Sequence, residues 1–401
     1  MKICVFTDSF LPYLSGVTFV AINQSNELAR RGHELSIFRP RPKLWRRSFP
    51  KPKELNADIG LCEVPLTLPT PPNRPDLRIA VPTFLPSLLK VRRLRPELIH
   101  VHTEWGCGWE GVLAARVHNI PVVGTFHTFF ADPGYLRQFG LPNLRATRAA
   151  MWKFSTTFYN RCDAIICPSR ETARVLSSRK LRHPPTVISN GIKAPDMKSI
   201  SAIETMRKNY GITGSPVFLY LGRVSVEKSM DILLHAFRKV LNDSPNARLV
   251  IIGAGPSDPE VADLCSQLDM ENSVIRTGMI EHDKLIRKNL LRLGDVFVTA
   301  SKTENQPLSL MEAMSFELPL VAADARGNPE LVEHERNGFL FEPDNADQMA
   351  KQMGKFTRDH PNLTERMGKA SGDMIRAHYL PNVGAKLEEL YTSLIARQAG
   401  G

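Results

Sequence analysis

Residues 216–228 read PVFLYLGRVSVEK: an apolar run, then Gly222 and Arg223, then Lys228. A strand with one face in water alternates apolar and polar positions. This run does not alternate, so it suits a strand buried on both faces, as in a parallel sheet. The pattern repeats downstream in ARLVIIGAG (247–255), SVIRTG (273–278), DVFVTAS (295–301) and LPLVAAD (318–324). Amphipathic stretches near 227–242, 258–268, 281–291 and 306–316 separate these runs and read as helices.

Upstream lies a matching series: KICVFT (2–7), ELSIFR (34–39), LIHVH (98–102), PVVGTF (121–126) and DAIICPS (163–169). Its intervening helical stretches are 17–31, 107–118, 145–161 and 170–179. Two strand–helix series predict an α/β chain of two doubly wound domains, 1–190 and 191–375. The turn-rich SNGIKAPDMKS (189–199) reads as the hinge. A last helical stretch, 382–398 within a segment 376–401, is expected to pack back on the first domain.

A chain of 401 residues exceeds one ordinary core, which agrees with two domains. No apolar run approaches the ~20 residues of a spanning helix. The start, MKICVFTDSF, meets an acid at Asp8 and reads as a buried strand rather than a signal peptide. Six cysteines without a CxxC pair read as reduced thiols in a cytoplasmic protein. Residues 1–190 hold 27 Lys and Arg against 13 Asp and Glu, although the whole chain carries only +11. That asymmetry points the first domain at an anionic partner: nucleic acid, acidic lipid or polyanion. No nucleic-acid recognition motif appears, and no nucleic acid is expected. Residues 39–55, RPRPKLWRRSFPKPKEL, form a basic, proline-broken loop.

In open α/β sheets ligands sit at the carboxyl ends of the strands. Gly16 follows the first strand and opens a helix, where backbone can approach an anion. His102 and His127 end two strands and are expected to face the cleft between domains, whereas His100 packs in the sheet. No third ligand accompanies them, and no metal site is expected. Arg223 and Lys228 lie before a helix and suit a phosphate clamp. VIIGAGP (250–256) lacks the third glycine of a dinucleotide fingerprint and reads as a turn. SKTENQPLSLMEAM (301–314) places Glu304 after a strand and Glu312 in the next helix, with Pro307 suited to the first helical position. The amides of Leu308 and Ser309 are then free for a ligand, and the two carboxylates can accept sugar or ribose hydroxyls.

Together these segments resemble the retaining glycosyltransferases of family 4. SKTENQPLSLMEAM is similar to that family's Glu-x7-Glu motif, and LGRVSVEK to its Gly-Arg-x4-Lys segment. SNGI (189–192), GNPELVEHERNGFLF (327–341) and FTDSFLPYLSGVTFVAINQSNELARRGHELSIF (6–38) also match in order and spacing. The resemblance implies the GT-B fold: two Rossmann-like domains facing a cleft, with the acceptor on the first and a nucleotide-sugar donor on the second. It implies that Arg223 and Lys228 bind the donor diphosphate, with the Leu308 and Ser309 amides and Gly16 near the phosphates. Glu304 would contact the donor sugar, Glu312 the ribose, Arg276 and Thr277 the base, and His127 the reacting sugar.

GTFHTFFADPGY (124–135) with FTDSFLPYLSGV looks most like the diacylglycerol glucosyltransferases. That implies UDP-glucose as donor, a membrane lipid as acceptor near His102 and Asp132, no required cofactor, and a peripheral position on the inner face of the cell membrane. FLPSLLKVRRLR (84–95) and YLRQFGLPNLRATRAAMWKF (135–154) would meet the anionic surface. The chain departs from the family at Ser15-Gly16, where Gly-Gly is common, and at Asn305-Gln306, where Phe-Gly is common. It also carries one acid, Asp132 beside Ala131, where the lipid enzymes have two. Two other readings stay open: a GDP-mannose-dependent mannosyltransferase acting on a glycolipid or phosphoinositide, and a nucleotide- or polyanion-binding protein without transfer.

Overall fold

The computed structural model describes residues 1–41, 52–69, 78–138, 140–196 and 203–400. Most of the basic loop at 39–55, residues 197–199 of the hinge segment and residue 139 of the 135–154 segment lie outside the described residues. The chain divides into two compact units, one of Met1–Gly191 with Leu380–Gly401, the other of Ile192–Tyr379.

The first unit holds strands β1 (Lys2–Phe6), β2 (Glu34–Pro40), β3 (Gly60–Val64), β4 (Thr67–Pro69), β5 (Arg78–Ala80), β6 (Leu98–Val101), β7 (Val122–Thr125), β8 (Ala164–Cys167) and β9 (Pro185–Val187). Seven form one sheet in the order β3-β2-β1-β6-β7-β8-β9, every pair parallel. β4 and β5 pair antiparallel in a small separate ribbon. The central strands lack alternation because each face of the sheet has its own core. Cys4 and Phe6 pack with Val101, Val122 and Phe158 on one side. Ile3 and Val5 pack with Ile22, Leu28 and Leu387 on the other. The edge strands β3 and β9 carry partly exposed residues, and their weak apolar signal went unread in the sequence.

The final helix, Leu380–Ala399, belongs to the first unit and lies against the helix Gly16–Arg30. Val383, Leu387, Tyr391 and Leu394 enter the core. Gly384 permits the approach, since a Cβ there would sit 2.8 Å from Glu27 Cγ. Arg31 and Glu388 pair across the contact.

The second unit holds β10 (Val217–Leu221), β11 (Arg248–Ile252), β12 (Val274–Gly278), β13 (Val296–Thr299), β14 (Leu320–Ala323) and β15 (Gly338–Phe341), ordered β12-β11-β10-β13-β14-β15 and all parallel. Phe218 and Tyr220 serve one core, Val217 and Leu219 the other. The GAG of 253–255 is a packing device. A Cβ on Gly253 (φ +143°) would lie 1.8 Å from the Gly222 carbonyl oxygen, and one on Gly255 would lie 2.0 Å from that of Val224. These glycines press the loop after β11 onto the loop after β10. All six cysteines are free thiols, five of them buried. Among the described residues no helix is long and apolar enough to cross a membrane.

Leu387 is fully buried between the last helix and the first sheet. Leu387→Ala should lower stability by about 2–5 kcal/mol through lost burial and a residual cavity. Urea denaturation followed by circular dichroism would read this as a lower midpoint. An unchanged midpoint would show that the helix adds nothing to the unit's stability.

Candidate functional site

In both sheets the strand order reverses between two neighbours, β1 and β6 in the first unit and β10 and β13 in the second. Loops leaving the carboxyl ends of such a pair run in opposite directions, opening a crevice between them. In the second unit those loops carry Gly222–Lys228 and Ser301–Gln306.

The first loop is held from below. Buried Tyr220 donates its hydroxyl to the Arg223 carbonyl at 2.9 Å, and the Val224 amide bonds the Ala254 carbonyl at 3.2 Å. Arg223 is half-buried at this bend. A single 3-10 turn, Val226–Lys228, then aims Lys228 at Glu304, and the two form an ion pair. Ser301 Oγ donates to Glu304 Oε1 at 2.9 Å. The Glu304 carbonyl takes the Gly327 amide at 2.9 Å, while fully buried Asn328 ties the carbonyls of Ser301 and Ala323 at 2.9 and 3.0 Å. Burial works to raise the Glu304 pKa, but Lys228 and Ser301 outweigh it and hold the carboxyl below its ordinary value. At neutral pH Glu304 is therefore an ionised group that only accepts hydrogen bonds.

Pro307 is not the first helical residue. It occupies the cap, in extended conformation, and the helix runs Leu308–Ser315. Leu308 and Ser309 thus supply the first two amides, which have no carbonyl partner within the helix. Glu312 lies one turn in and meets His282, Nε2 to Oε1 at 2.6 Å. Burial would lower the His282 pKa, but the bond to Glu312 and its charge prevail and raise it. Arg276 is exposed beside an open groove of about 450 Å³ lined by Gly253, Asp258, Ala262 and Cys265. Thr277 turns its hydroxyl onto main chain, 3.0 Å from the Gly278 carbonyl.

In the first unit Gly16 is the first helical residue, capped by Ser15, whose Oγ accepts from the Thr18 amide at 3.1 Å. The serine that departs from Gly-Gly is thus the helix cap. It belongs to a hydroxyl cluster, Ser15 Oγ lying 2.6 Å from Ser9 Oγ and 3.0 Å from Thr18 Oγ1. His102 and His127 meet at 3.0 Å, Nδ1 to Nε2, with their rings stacked. His100 packs in the sheet between Thr125 Oγ1 (2.6 Å) and Tyr391 Oη (2.8 Å). Burial pushes His100 and His127 down to about 3, and His102 well below its ordinary value. All three are neutral at pH 7, so a single N–H joins His102 to His127. Asp132 starts the short helix Pro133–Gln138, its carbonyl accepting from the Leu136 amide at 3.0 Å.

Several supporting residues escaped sequence reasoning. Asp8, directly after β1, is a buried carboxylate that accepts from the amides of Ala80 (2.8 Å) and Cys107 (3.0 Å) and from Thr103 Oγ1 (2.8 Å). Burial lifts its pKa to about 6 against those bonds. Glu104 is buried on Ser155 and Tyr159, and burial lifts it to about 7. Their one visible signal was an acid at the end of an apolar run. Ser301, His282 and Tyr391 had no such signal. Among the described residues no group of His, Cys, Asp and Glu is placed to hold a metal ion.

Residues 14–194 match Glycosyltransferase Family 4, and residues 202–374 match Glycosyl transferases group 1. The chain is 30% identical to the alpha-monoglucosyldiacylglycerol synthase of Streptococcus pneumoniae, over 82% of this chain and 72% of that one. It is 26% identical to a GDP-mannose-dependent alpha-mannosyltransferase of Mycobacterium tuberculosis, over 85% and 84%. In structure it resembles Anabaena HepE, solved in complex with UDP, with a TM-score of 0.74 and 19% identity over 98% of this chain and 100% of that one.

Lys228→Met would leave Glu304 without its cation in a site only about a fifth exposed. We expect a loss of about 1–3 kcal/mol in the stability of the second unit. Lys228→Met combined with Glu304→Gln should recover most of it, a coupling of at least about 1 kcal/mol in a double-mutant cycle by denaturant unfolding. Strictly additive losses would refute the pairing.

Proposed function

The chain belongs to glycosyltransferase family 4 and has the GT-B fold, and on that premise we propose that it is a retaining, metal-independent glucosyltransferase moving glucose from UDP-glucose to a diacylglycerol-type membrane lipid. The observation that carries the donor assignment is the Lys228–Glu304 pair beside the amino end of the Leu308–Ser315 helix, at the strand-order reversal.

In this reading Arg223, Lys228 and the Leu308 and Ser309 amides receive the diphosphate, and Gly16 lets the first loop approach it. When the bond from anomeric carbon to phosphate oxygen breaks, negative charge grows on that oxygen. Fixed cations and helix amides stabilise it without reorganising. Glu304, kept ionised by Lys228, accepts hydroxyls of the departing sugar. Glu312 takes the ribose, and Arg276 and Thr277 lie toward the base. His127, neutral and oriented by His102, bonds the reacting sugar without adding charge. His102 and Asp132 serve the acceptor. Retention follows if the acceptor hydroxyl attacks from the face that the diphosphate leaves. Its oxygen bonds to the anomeric carbon, and its proton passes to the departing phosphate oxygen.

The lipid assignment draws on the synthase relative and on the surface of the first unit. Leu85, Leu89 and Leu144 are exposed, among exposed Lys90, Arg92, Arg93, Arg145 and Arg148. Apolar side chains interspersed with cations suit the interface of an anionic membrane. We place the enzyme there as a peripheral protein of the cytoplasmic face. A GDP-mannose-dependent reaction on a glycolipid or phosphoinositide is the second reading, favoured by the mannosyltransferase relative.

Radiolabelled UDP-glucose and GDP-mannose, offered with diacylglycerol in anionic vesicles, separate the two. We expect label in lipid from UDP-glucose, unchanged by EDTA and with the α configuration of the donor retained. Transfer from GDP-mannose alone would install the second reading, and loss of activity in EDTA would refute metal independence. Arg223→Ala should lower kcat/KM at least ~100-fold with the fold intact. Near-normal turnover would refute the clamp.

A further inference from the structure

The mechanism above uses Glu312 and leaves its partner without a role. We propose that His282 is a positioning residue for nucleotide binding: it holds one oxygen of Glu312 so that the rest of the carboxylate meets the ribose hydroxyls. This rests on the reading that Glu312 takes the ribose.

His282 opens the short helix His282–Arg287 after β12, and Glu312 lies in the helix after β13. Those strands are not neighbours, since β11 and β10 stand between them. The contact therefore joins two helices whose strands the sheet does not set side by side. The His282 side chain is 33% exposed and that of Glu312 12%. The carboxylate is thus sheltered but reachable. A carboxylate offers about four acceptor positions, and the 2′- and 3′-hydroxyls of a ribose need two. One bond from His282 at 2.6 Å leaves enough.

The gain is preorganisation. A free glutamate side chain gives up rotamer entropy when ordered, and a partner already in place removes that cost from ligand binding. His282 donates through Nε2 as the cation or as the Nε2–H tautomer, but the cationic bond is stronger. Glu312 and Asp283 act on it to favour the cation, and Lys193 opposes it. With its folded pKa raised, His282 gives full support at low pH and loses part of it as pH rises through that value.

The test compares UDP with 2′-deoxy-UDP by calorimetry from pH 6 to pH 9, with GDP and 2′-deoxy-GDP in parallel. The pair that binds more tightly is scored. The ratio of the two affinities cancels titration of the phosphates and of the base. In the unmodified protein the ribose form should bind about 10-fold tighter at pH 6, the worth of a charge-assisted hydrogen bond, with the ratio falling as pH rises. His282→Ala should bring the ratio to near 1 and leave the deoxy form bound as before. His282→Gln, which keeps a donor but cannot titrate, should restore much of the ratio and make it flat with pH.

An unchanged ratio in His282→Ala would overturn the proposal. So would equal weakening of both nucleotides, which marks a structural role, and so would tighter binding, which marks a contact that blocks the ribose. Glu312→Gln separates the layers. If neither it nor the 2′-hydroxyl matters, or if no nucleotide binds, the ribose reading fails and the proposal with it. If Glu312→Gln abolishes the ratio and His282→Ala does not, only the proposal fails.

Discussion

A parallel strand buried on both faces cannot turn straight back, and it must return through a helix before the next strand begins. That constraint governs the whole molecule. In each sheet it sends every carboxyl strand end to the same edge, so the residues there are gathered regardless of their distance in sequence. Lys228 and Glu304 stand 76 positions apart and form an ion pair because their strands, β10 and β13, are neighbours where the order reverses. The two-sided cores around Phe218 and Val217 make the framework stiff enough to hold such a pair in place.

Charge is handled differently in the two units. The second gives its acids partners: Glu304 has a lysine and a serine, and Glu312 has a histidine whose pKa it raises. The first sets neutral groups side by side: His102 stacks on His127 and shares a hydrogen bond with it, His100 lies tilted against His102, and burial penalises the charged form of all three. A fixed field of charges suits the handling of a diphosphate, and neutral donors and acceptors suit the handling of hydroxyls. The last helix takes part in the second arrangement through Tyr391, which fixes the Nδ1 side of His100.

The fold was legible from apolar runs such as PVFLYL and IICP, because burial on both faces removes alternation and leaves a signal within a few residues. The edge strands β3 and β9 were not legible, since a half-exposed strand has no such run. Pro307 illustrates a local limit: its fixed φ suits either the cap or the first turn, and its extended ψ of 119° makes it the cap. Ser15 looked like a departure from a pattern and proved to be a cap bonded to Thr18.

The two strand–helix series, the basic character of the first half and the polar residues at strand ends can all be read from the order of residue types. Which of those residues have partners follows from their arrangement in space: Glu304 with Lys228 and Ser301, Glu312 with His282, His102 with His127, and Asp8 with three separate donors. Such pairs join residues from different strand–helix units. The strength of a hydrogen bond or ion pair depends on distances of a few tenths of an ångström, which the spacing of residues along a chain does not carry.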